Sequence, residues 1–374
     1  MRFEFISGLR GIAILSVLYH HLFYRFTSPG YGAVSLGGFD LLPLSFLSNG
    51  WMGVNLFFAL SGFVLAYPYF SGRRSMDTVS DAKQFYCRRC KRLFPLYFFS
   101  VVVCMIWISP FVNSEHPWKD LFLMSTFTYI FTIEMFGPSY NWILWSLAIE
   151  VWFSAVFPFL LLGIRKWGML KSVLGVFVVA LLVRVWGNSE AFSYMGNPYI
   201  NPVKDSFIGR LDDFMVGILC AWLGVRNGAR FISSRNAMAF LGLSVILFWI
   251  VAMLWDYVLL EQLTLAWRPY LSLIVNVSIF LAIMSLYRME NPIRKYIFES
   301  RILTWPGAMS YSLYIWHGVT IAWIVQGQWT FERVSIYLFL IAALSTLSYR
   351  YIEFGSVKTW RILFFPPDRD GKEK

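Results

Sequence analysis

Residues 10–21 read RGIAILSVLYHH, an apolar stretch with an arginine at one end and two histidines at the other. On an α-helix the eleven steps from Arg10 to His21 make about three turns, roughly 16 Å, and return to nearly the same face. The same geometry turns His20 about 80° away from Arg10. Ionisable side chains in a membrane helix are functional candidates by default. A histidine there suits general acid–base chemistry, and an arginine suits an anion such as phosphate.

Two more titratable residues, Glu150 and His317, lie in other apolar stretches. With the spans predicted below, we expect His21, Glu150 and His317 at roughly 20, 18 and 16 Å from the inner face of the membrane core. An unpaired carboxylate at that depth costs several kcal/mol, so we predict that Glu150 pairs with His21. A carboxylate that orients a histidine is a familiar acid–base arrangement. The alternative is that His21 only hydrogen-bonds a neighbouring helix.

A second set of cations precedes the apolar segment LFPLY. Arg89 and Arg92 are three residues apart and share a helix face, which would point along the following span. With Arg10 they could bind a polyanion that enters from the cytoplasm. The alternative is that they only anchor the cytoplasmic end of the helix, and we favour that interpretation for Arg73, Arg74 and Arg88.

Composition indicates the elements that must position these residues. Of the 374 residues, 58% are hydrophobic and 14% charged, whereas soluble domains have about 25% charged residues. Many apolar runs reach the roughly 20 residues that cross a bilayer as a helix. Alternating β-barrel patterning is missing, so the spans must be helical. The net charge of +11 fits basic cytoplasmic loops better than a nucleic-acid partner.

Ten spans satisfy the positive-inside tendency when the N-terminus is placed in the cytoplasm. The inner segments then hold most of the 32 lysines and arginines, and both termini are cytoplasmic. The predicted spans are 8–26, 50–70, 93–113, 142–164, 172–186, 207–225, 237–255, 269–287, 306–325 and 334–352.

The apolar segment 120–137 does not fit as another crossing. If it crossed, the basic loops 165–171 and 226–236 would both lie outside and reverse the charge bias. We therefore predict a re-entrant or interfacial helix on the outer side. The fold class is an all-α integral membrane protein of about ten transmembrane helices plus that helix. It forms one transmembrane domain over 1–355, followed by a short basic cytoplasmic tail at 356–374.

Six segments stand out in order along the chain. They are LRGIAILSVLYHH (9–21), GVNLFFALSGFVL (53–65), RRCKRLFPLY (88–97), LWSLAIEVWF (144–153), RLDDFMVGIL (210–219) and MSYSLYIWHGV (309–319). Together they resemble the motifs of the acyltransferase family 3 membrane proteins, and the first has that family's spacing of arginine, ten residues and histidine, here Arg10 and His21.

The resemblance implies an O-acyltransferase that moves an acyl group, usually acetyl, from cytoplasmic acyl-CoA to a hydroxyl of a carbohydrate. It implies that CoA phosphates bind Arg10, Arg89 and Arg92. His21 would act as general base with Glu150 holding it. The donor is a substrate, so we expect no permanently bound cofactor.

The acceptor would be a glycan or lipid-linked glycan that enters from the outer side, near Arg210 and Asp213. Asn55 stands where the family usually has an acidic residue, which leaves the acceptor type or the role of that position open. Other residues that could line the site are Trp145, Ser146 and His317. Ser146 could be a nucleophile, although helix packing is the favoured interpretation. Tryptophans such as Trp51, Trp142 and Trp329 fit an interfacial belt, and a sugar could stack on one of them.

The rival function is a transporter or exporter of glycans or small molecules, since polar groups at mid-membrane also suit passage of a substrate. Arg10, Arg89 and Arg92 favour the enzyme, because a neutral sugar needs no cytoplasmic cations. A purely structural subunit would leave His21 and Glu150 unexplained.

A metal site is not expected, because Cys87 and Cys90 lack a second ligand pair nearby. We expect a multi-pass protein among the lipids of the cytoplasmic membrane of a bacterium.

Overall fold

The structure is a computed structural model. The predicted tail, 356–374, lies outside the residues that it describes. The described residues are 3–23, 32–36, 39–107, 116–133, 136–138, 141–188, 192, 201–228, 232–324 and 330–353.

Helices dominate the described residues, as predicted. The one exception is a short antiparallel hairpin of β1 (Val34–Leu36) and β2 (Phe39–Leu41), which the all-α prediction missed. The α-helices in chain order are α1 (Glu4–Phe23), α2 (Ser45–Ser48), α3 (Gly53–Phe70), α4 (Val79–Trp107), α5 (Pro117–Thr126), α6 (Leu144–Trp167), α7 (Met169–Gly187), α8 (Leu211–Asn227), α9 (Ala237–Leu259), α10 (Arg268–Arg288), α11 (Arg301–Ala308), α12 (Ser310–Ile324) and α13 (Phe331–Ser348).

Each of the ten predicted spans overlaps one of these helices, namely α1, α3, α4, α6 to α10, α12 and α13. Within the described ranges, seven elements are long and apolar enough to cross a membrane. Of the remaining three, α4 begins with a strongly basic segment, and α8 and α12 have 17 and 15 residues. An all-α membrane fold is therefore supported, while the count of ten and the side of the termini stay predictions.

The segment 120–137 does not form one long helix. The helix α5 has ten residues, ends at Thr126 and is capped by Phe127, whose backbone is left-handed with φ 57°. Ten residues rise about 15 Å, half of a hydrocarbon core of about 30 Å. Tyr97 of α4 donates to the Met124 carbonyl and Trp152 of α6 donates to the Phe127 carbonyl, each at 2.9 Å. This short, anchored helix is the form expected for a segment that does not cross.

Small residues bring the site helices together. A Cβ on Gly62 of α3 would lie 2.1 Å from the Phe214 carbonyl oxygen, and one on Gly217 of α8 would lie 1.8 Å from the Ala59 carbonyl oxygen. Only glycine allows backbones to approach this closely, as is common between membrane helices. The helix α1 packs in the same manner against α11 and also contacts α3 and α12. Arg10 and His21 are consequently surrounded by other helices of the bundle.

Candidate active site

A cleft lies among α1, α3, α4, α6 and α12, and we call it the central cleft. Its empty volume is about 580 Å³, counting the space at its mouth. It gathers charged and hydroxyl side chains beside an apolar wall. The lining residues are Arg10, Val54, Phe57, Phe58, Ser61, Arg92, Leu93, Ser146, Leu147, Glu150, Ser310, Tyr311 and Tyr314.

Two arginines, Arg10 and Arg92, form the cationic part of this cleft. Among the described residues neither guanidinium has a hydrogen-bond or ion-pair partner, and the two repel each other. Glu150 and Glu353 are the anions that act on Arg10. Ser312 donates to the carboxylate of Glu353 at 3.0 Å. Two guanidinium groups with free donors suit a phosphorylated ligand, because arginine can fork to phosphate oxygens.

Glu150 lies in the wall of the cleft, but the prediction that it pairs with His21 is wrong. Its Oε1 accepts from Arg89 at 2.8 Å and from Ser61 at 3.0 Å. Arg89 is buried and also donates to Ser154 at 2.9 Å. Arginine stays charged, so it satisfies a buried carboxylate better than a histidine does. Oε2 of Glu150 has no partner in the described ranges and is left for the cleft.

His21 instead contacts His317 of α12. The His21 Nδ1 and His317 Nε2 atoms are 3.1 Å apart, the ring centroids are 5.1 Å apart and the ring planes differ by 23°. The Nδ1 of His317 lies 2.6 Å from the Tyr314 carbonyl oxygen. The ring of Trp142 packs edge-on against His21 at 4.7 Å. A histidine pair, with His317 buried and His21 partly buried, thus replaces the predicted carboxylate–histidine pair.

His20 faces a different neighbour, as its helix phase predicts. Its Nδ1 donates to the Ser48 carbonyl oxygen at 2.7 Å, and the side chain is buried against the segment before α3. The two adjacent histidines therefore lie in different surroundings. Their roles in the reaction stay predictions.

Tyr314 connects the histidine pair with the central cleft. Tyr314 lines the cleft, its hydroxyl oxygen lies 2.6 Å from Ser146 Oγ, and its ring centroid lies 5.2 Å from that of His317. A hydroxyl pair beside a cleft can donate a hydrogen bond to a carbonyl oxygen on which negative charge develops.

A second polar region surrounds the N-terminus of α8. Asn55 Nδ2 donates to both carboxylate oxygens of Asp213, at 3.2 and 3.1 Å. Arg210 donates to Asp205 at 2.5 Å and lies 3.6 Å from Asp213. An ion pair joins Arg184 of α7 to Asp212. We call this region the outer network, and its charged members are Arg184, Lys204, Asp205, Arg210, Asp212 and Asp213.

In the loop before α8, the pKa values of Lys204 and Asp205 are both lowered. Burial lowers the pKa of Lys204 to about 8, although the carboxylate of Asp205 favours the charged form. Burial by itself would raise the pKa of Asp205, but Lys204 and Arg210 outweigh it and the pKa lies below the ordinary value. The loop charges therefore depend on one another.

Comparison with known proteins decides the family. The acyltransferase family 3 model, described as an acyltransferase domain, matches residues 3–350. The chain belongs to this family. The predicted family and enzyme class, an acyltransferase, are confirmed.

Three relatives show how far the similarity extends. The "Putative acetyltransferase ORF330" of Acidianus two-tailed virus is 27% identical, over 83% of this chain and 81% of its own length. The "Peptidoglycan O-acetyltransferase OatA" of Listeria monocytogenes is 25% identical, over 98% of this chain and 57% of its own length. The "Putative peptidoglycan O-acetyltransferase YrhL" of Bacillus subtilis is 25% identical, over 93% and 54%. The chain thus spans little more than half of the two bacterial relatives. No solved structure matches.

The acyltransferase brings only part of the predicted site together. Arg10, Arg92, Ser146 and Glu150 line the central cleft, and His21 and His317 contact each other. The other predicted residues lie elsewhere in the described structure: Arg89 behind Glu150, Trp145 stacked on Phe136, and Asn55, Arg210 and Asp213 in the outer network.

Sequence reasoning missed Ser61 and Tyr314 as site residues of the acyltransferase. Tyr314 precedes His317 by three positions, which places both on one helix face, so the spacing in SYSLYIWH was an available signal. Ser61 lies two turns along α3 from Val54, which also lines the cleft. The sequence offered no comparable signal for its bond to Glu150.

Proposed function

We propose that this acyltransferase moves an acetyl group from acetyl-CoA to a hydroxyl of a glycan. The observation that supports the proposal best is the hydrogen-bonded His21–His317 pair, joined through Tyr314 to a cleft with two unpaired arginines. This combination supplies a base and an anion site within one bundle. A neutral-sugar exporter would have no use for the arginines.

The donor binds with its phosphates on Arg10 and Arg92. Both side chains line the central cleft and have donors to spare. Arg89, which we expected to bind phosphate too, is engaged by Glu150 and therefore positions that carboxylate. The acyl arm extends along the cleft toward Ser146 and Tyr314.

The chemistry is a direct transfer. The acceptor oxygen attacks the thioester carbonyl carbon, a new C–O bond forms and the C–S bond breaks. The hydroxyl proton moves to Nε2 of His21 and then to the departing sulfur, so that free CoA and an acetyl ester are the products. A positioned base of this kind contributes typically 10²–10⁴-fold to the rate.

The relatives and the helices support the proposed acceptor class and location. Two relatives are named for peptidoglycan, which supports a carbohydrate acceptor for this chain, either free or lipid-linked. Seven candidate membrane spans support a multi-pass protein, and we place it in the cytoplasmic membrane of a bacterium. Acetyl-CoA is a substrate in this scheme.

The test is single-turnover transfer from labelled acetyl-CoA to soluble peptidoglycan fragments, by purified protein in lipid nanodiscs. We expect His21→Ala and His21→Gln to lose on the order of 10²-fold or more, since neither leaves a basic nitrogen. The matched control is His20→Ala, which should stay within a few-fold at equal folded amounts. An inactive His20→Ala beside an active His21→Ala would refute the assignment. Transport of these fragments into vesicles without any acetylation would support the exporter instead.

A further inference from the structure

We propose that His317 is a positioning residue that fixes the tautomer of His21, so that Nε2 of His21 carries the lone pair. The proposal rests on the proposed role of His21 as the base. Its evidence is a chain of three groups: the Tyr314 carbonyl, the His317 ring and the His21 ring.

The direction of each hydrogen bond follows from the Tyr314 carbonyl, where this series of three groups ends. A backbone carbonyl can only accept, so the Nδ1 of His317, 2.6 Å from the Tyr314 oxygen, must bear a hydrogen. A neutral imidazole has one N–H, and the Nε2 of His317 is then an acceptor. The His21 Nδ1, 3.1 Å away, is the donor to it. His21 Nε2 is left with its lone pair.

The alternative protonation state of His317 is unfavourable. An imidazolium could donate from both nitrogens and would reverse the bond to His21. The His317 side chain has no exposed surface, and no carboxylate accepts from it among the described residues. Burying an unpaired charge is costly, so the neutral ring is the consistent choice.

This tautomer determines which nitrogen of His21 can accept a proton from the acceptor hydroxyl. With hydrogen on Nε2, the imidazole would present a donor to the acceptor hydroxyl and could not take its proton. The bond to the nearly parallel ring of His317 and the edge-on contact with Trp142 also hold the orientation of the His21 ring. His317 keeps its own proton throughout, and the proton of the hydroxyl resides only on His21 before it reaches the sulfur.

Nitrogen NMR of the histidines tests the tautomer directly and without substrate. The chain has four histidines, so ¹⁵N-histidine labelling of the full protein yields a tractable spectrum. The signals of His21 are assigned by their loss in His21→Gln, with His20→Gln and His116→Gln as the comparison. We expect a protonated Nδ1 and an unprotonated Nε2 for His21. A protonated Nε2 in the wild-type protein would overturn the proposal, even if His21 proved to be the base.

Two substitutions separate positioning from simple packing. His317→Gln keeps an acceptor near the position of Nε2, whereas His317→Phe keeps the bulk of the ring and offers none. We expect His317→Phe to lower kcat at least about tenfold with little change in KM for acetyl-CoA, because a wrong tautomer impairs the base. His317→Gln should recover most of the loss. Equal activity of the two variants, or better activity of His317→Phe, would show that the ring only fills space.

Discussion

The central cleft and the outer network differ in how their charges are satisfied, although one signal in the sequence pointed to both. Each has ionisable residues inside apolar helices, the usual mark of a functional site. In the outer network the carboxylates of Asp205, Asp212 and Asp213 face arginine, lysine or asparagine donors. In the cleft Arg10 and Arg92 face each other without a partner in the described ranges.

The difference teaches that a guanidinium group without any ion-pair partner identifies the site better than charge alone does, since Arg184 and Arg210 are both paired. A network in which each carboxylate has a charged or amide partner holds α7, α8 and α10 together. Single atoms in it, such as Arg184 Nε, Arg210 Nε and Asp212 Oδ1, still have no hydrogen bond within the described residues. A cleft that leaves two guanidinium groups and one carboxylate oxygen unpaired is complete only with a ligand present. Substitutions in the outer network should therefore change stability, and substitutions in the cleft should change activity or binding.

The largest effect on stability is expected for Arg184→Ala. This change leaves Asp212 buried without its cation, and breaking a buried pair typically costs about 3–5 kcal/mol. Thermal unfolding in a mild detergent measures the change. The control is Arg165→Ala, which breaks an exposed pair with Asp77 and should cost at most about 1 kcal/mol. Equal losses for the two variants would mean that the outer network does not stabilise the bundle.

Smaller effects, on binding alone, are expected for Arg10→Gln and Arg92→Gln. Each removes one cation from the cleft, so the affinity for CoA should fall about tenfold or more, since a bond to a charged group is worth about 1.5–3 kcal/mol. Affinity for pantetheine, which has no phosphate, should barely change, and neither should unfolding. Calorimetry with both ligands measures this. Equal loss for the two ligands would contradict the phosphate site.

A substitution of Arg89 should affect CoA and pantetheine differently from the substitutions of Arg10 and Arg92. Because it pairs with Glu150, Arg89→Gln should weaken CoA and pantetheine to a similar degree. A loss confined to CoA would return Arg89 to the donor site that the sequence first indicated.

The helices, and the two faces of α1, could be predicted from sequence because they depend on local periodicity and on charge bias. The spacing of Arg10, His20 and His21 alone predicts that the two histidines face different neighbours, and they do. The partner of Glu150 could not be predicted. Three titratable side chains at one depth do not reveal which two meet, and the choice of Arg89 depends on how α4 packs against α6.

The other features that the sequence did not predict also depend on tertiary contacts. The hairpin at 34–41 is too short for a periodic pattern to reveal it. Asn55 was recognised as a departure from the family, but only the contact of α3 with α8 shows that its amide satisfies Asp213. That the Arg10 guanidinium has no hydrogen-bond or ion-pair partner among the described residues likewise becomes visible only when the neighbours of the side chain are known.

The smallest effect is expected at the start of α4, where Asp81 lies in the first turn. Asp81 Oδ2 accepts from Ser75 Oγ at 2.8 Å and from the amide of Thr78 at 3.0 Å. These bonds, that of Ser75 first, lower the pKa of Asp81 from 3.8 to about 2. A carboxylate with a lowered pKa stabilises the fold above its ordinary pKa, and the contribution is lost as the pH falls from about 4 toward about 2.

Asp81→Asn should therefore loosen residues 75–82 at neutral pH, and the difference from the wild type should vanish near pH 2. Hydrogen exchange of the amides of Asp77 and Thr78, extrapolated over pH, measures it. Affinity for CoA should stay within about twofold, because Arg92 lies three helical turns further along α4. A difference from the wild type that persists unchanged down to pH 2 would show that the carboxylate charge is not what orders the loop. A large loss of CoA affinity would instead show that this loop acts on the cleft, and the contrast between the unpaired arginines of the cleft and the ion-paired outer network would have to include the loop.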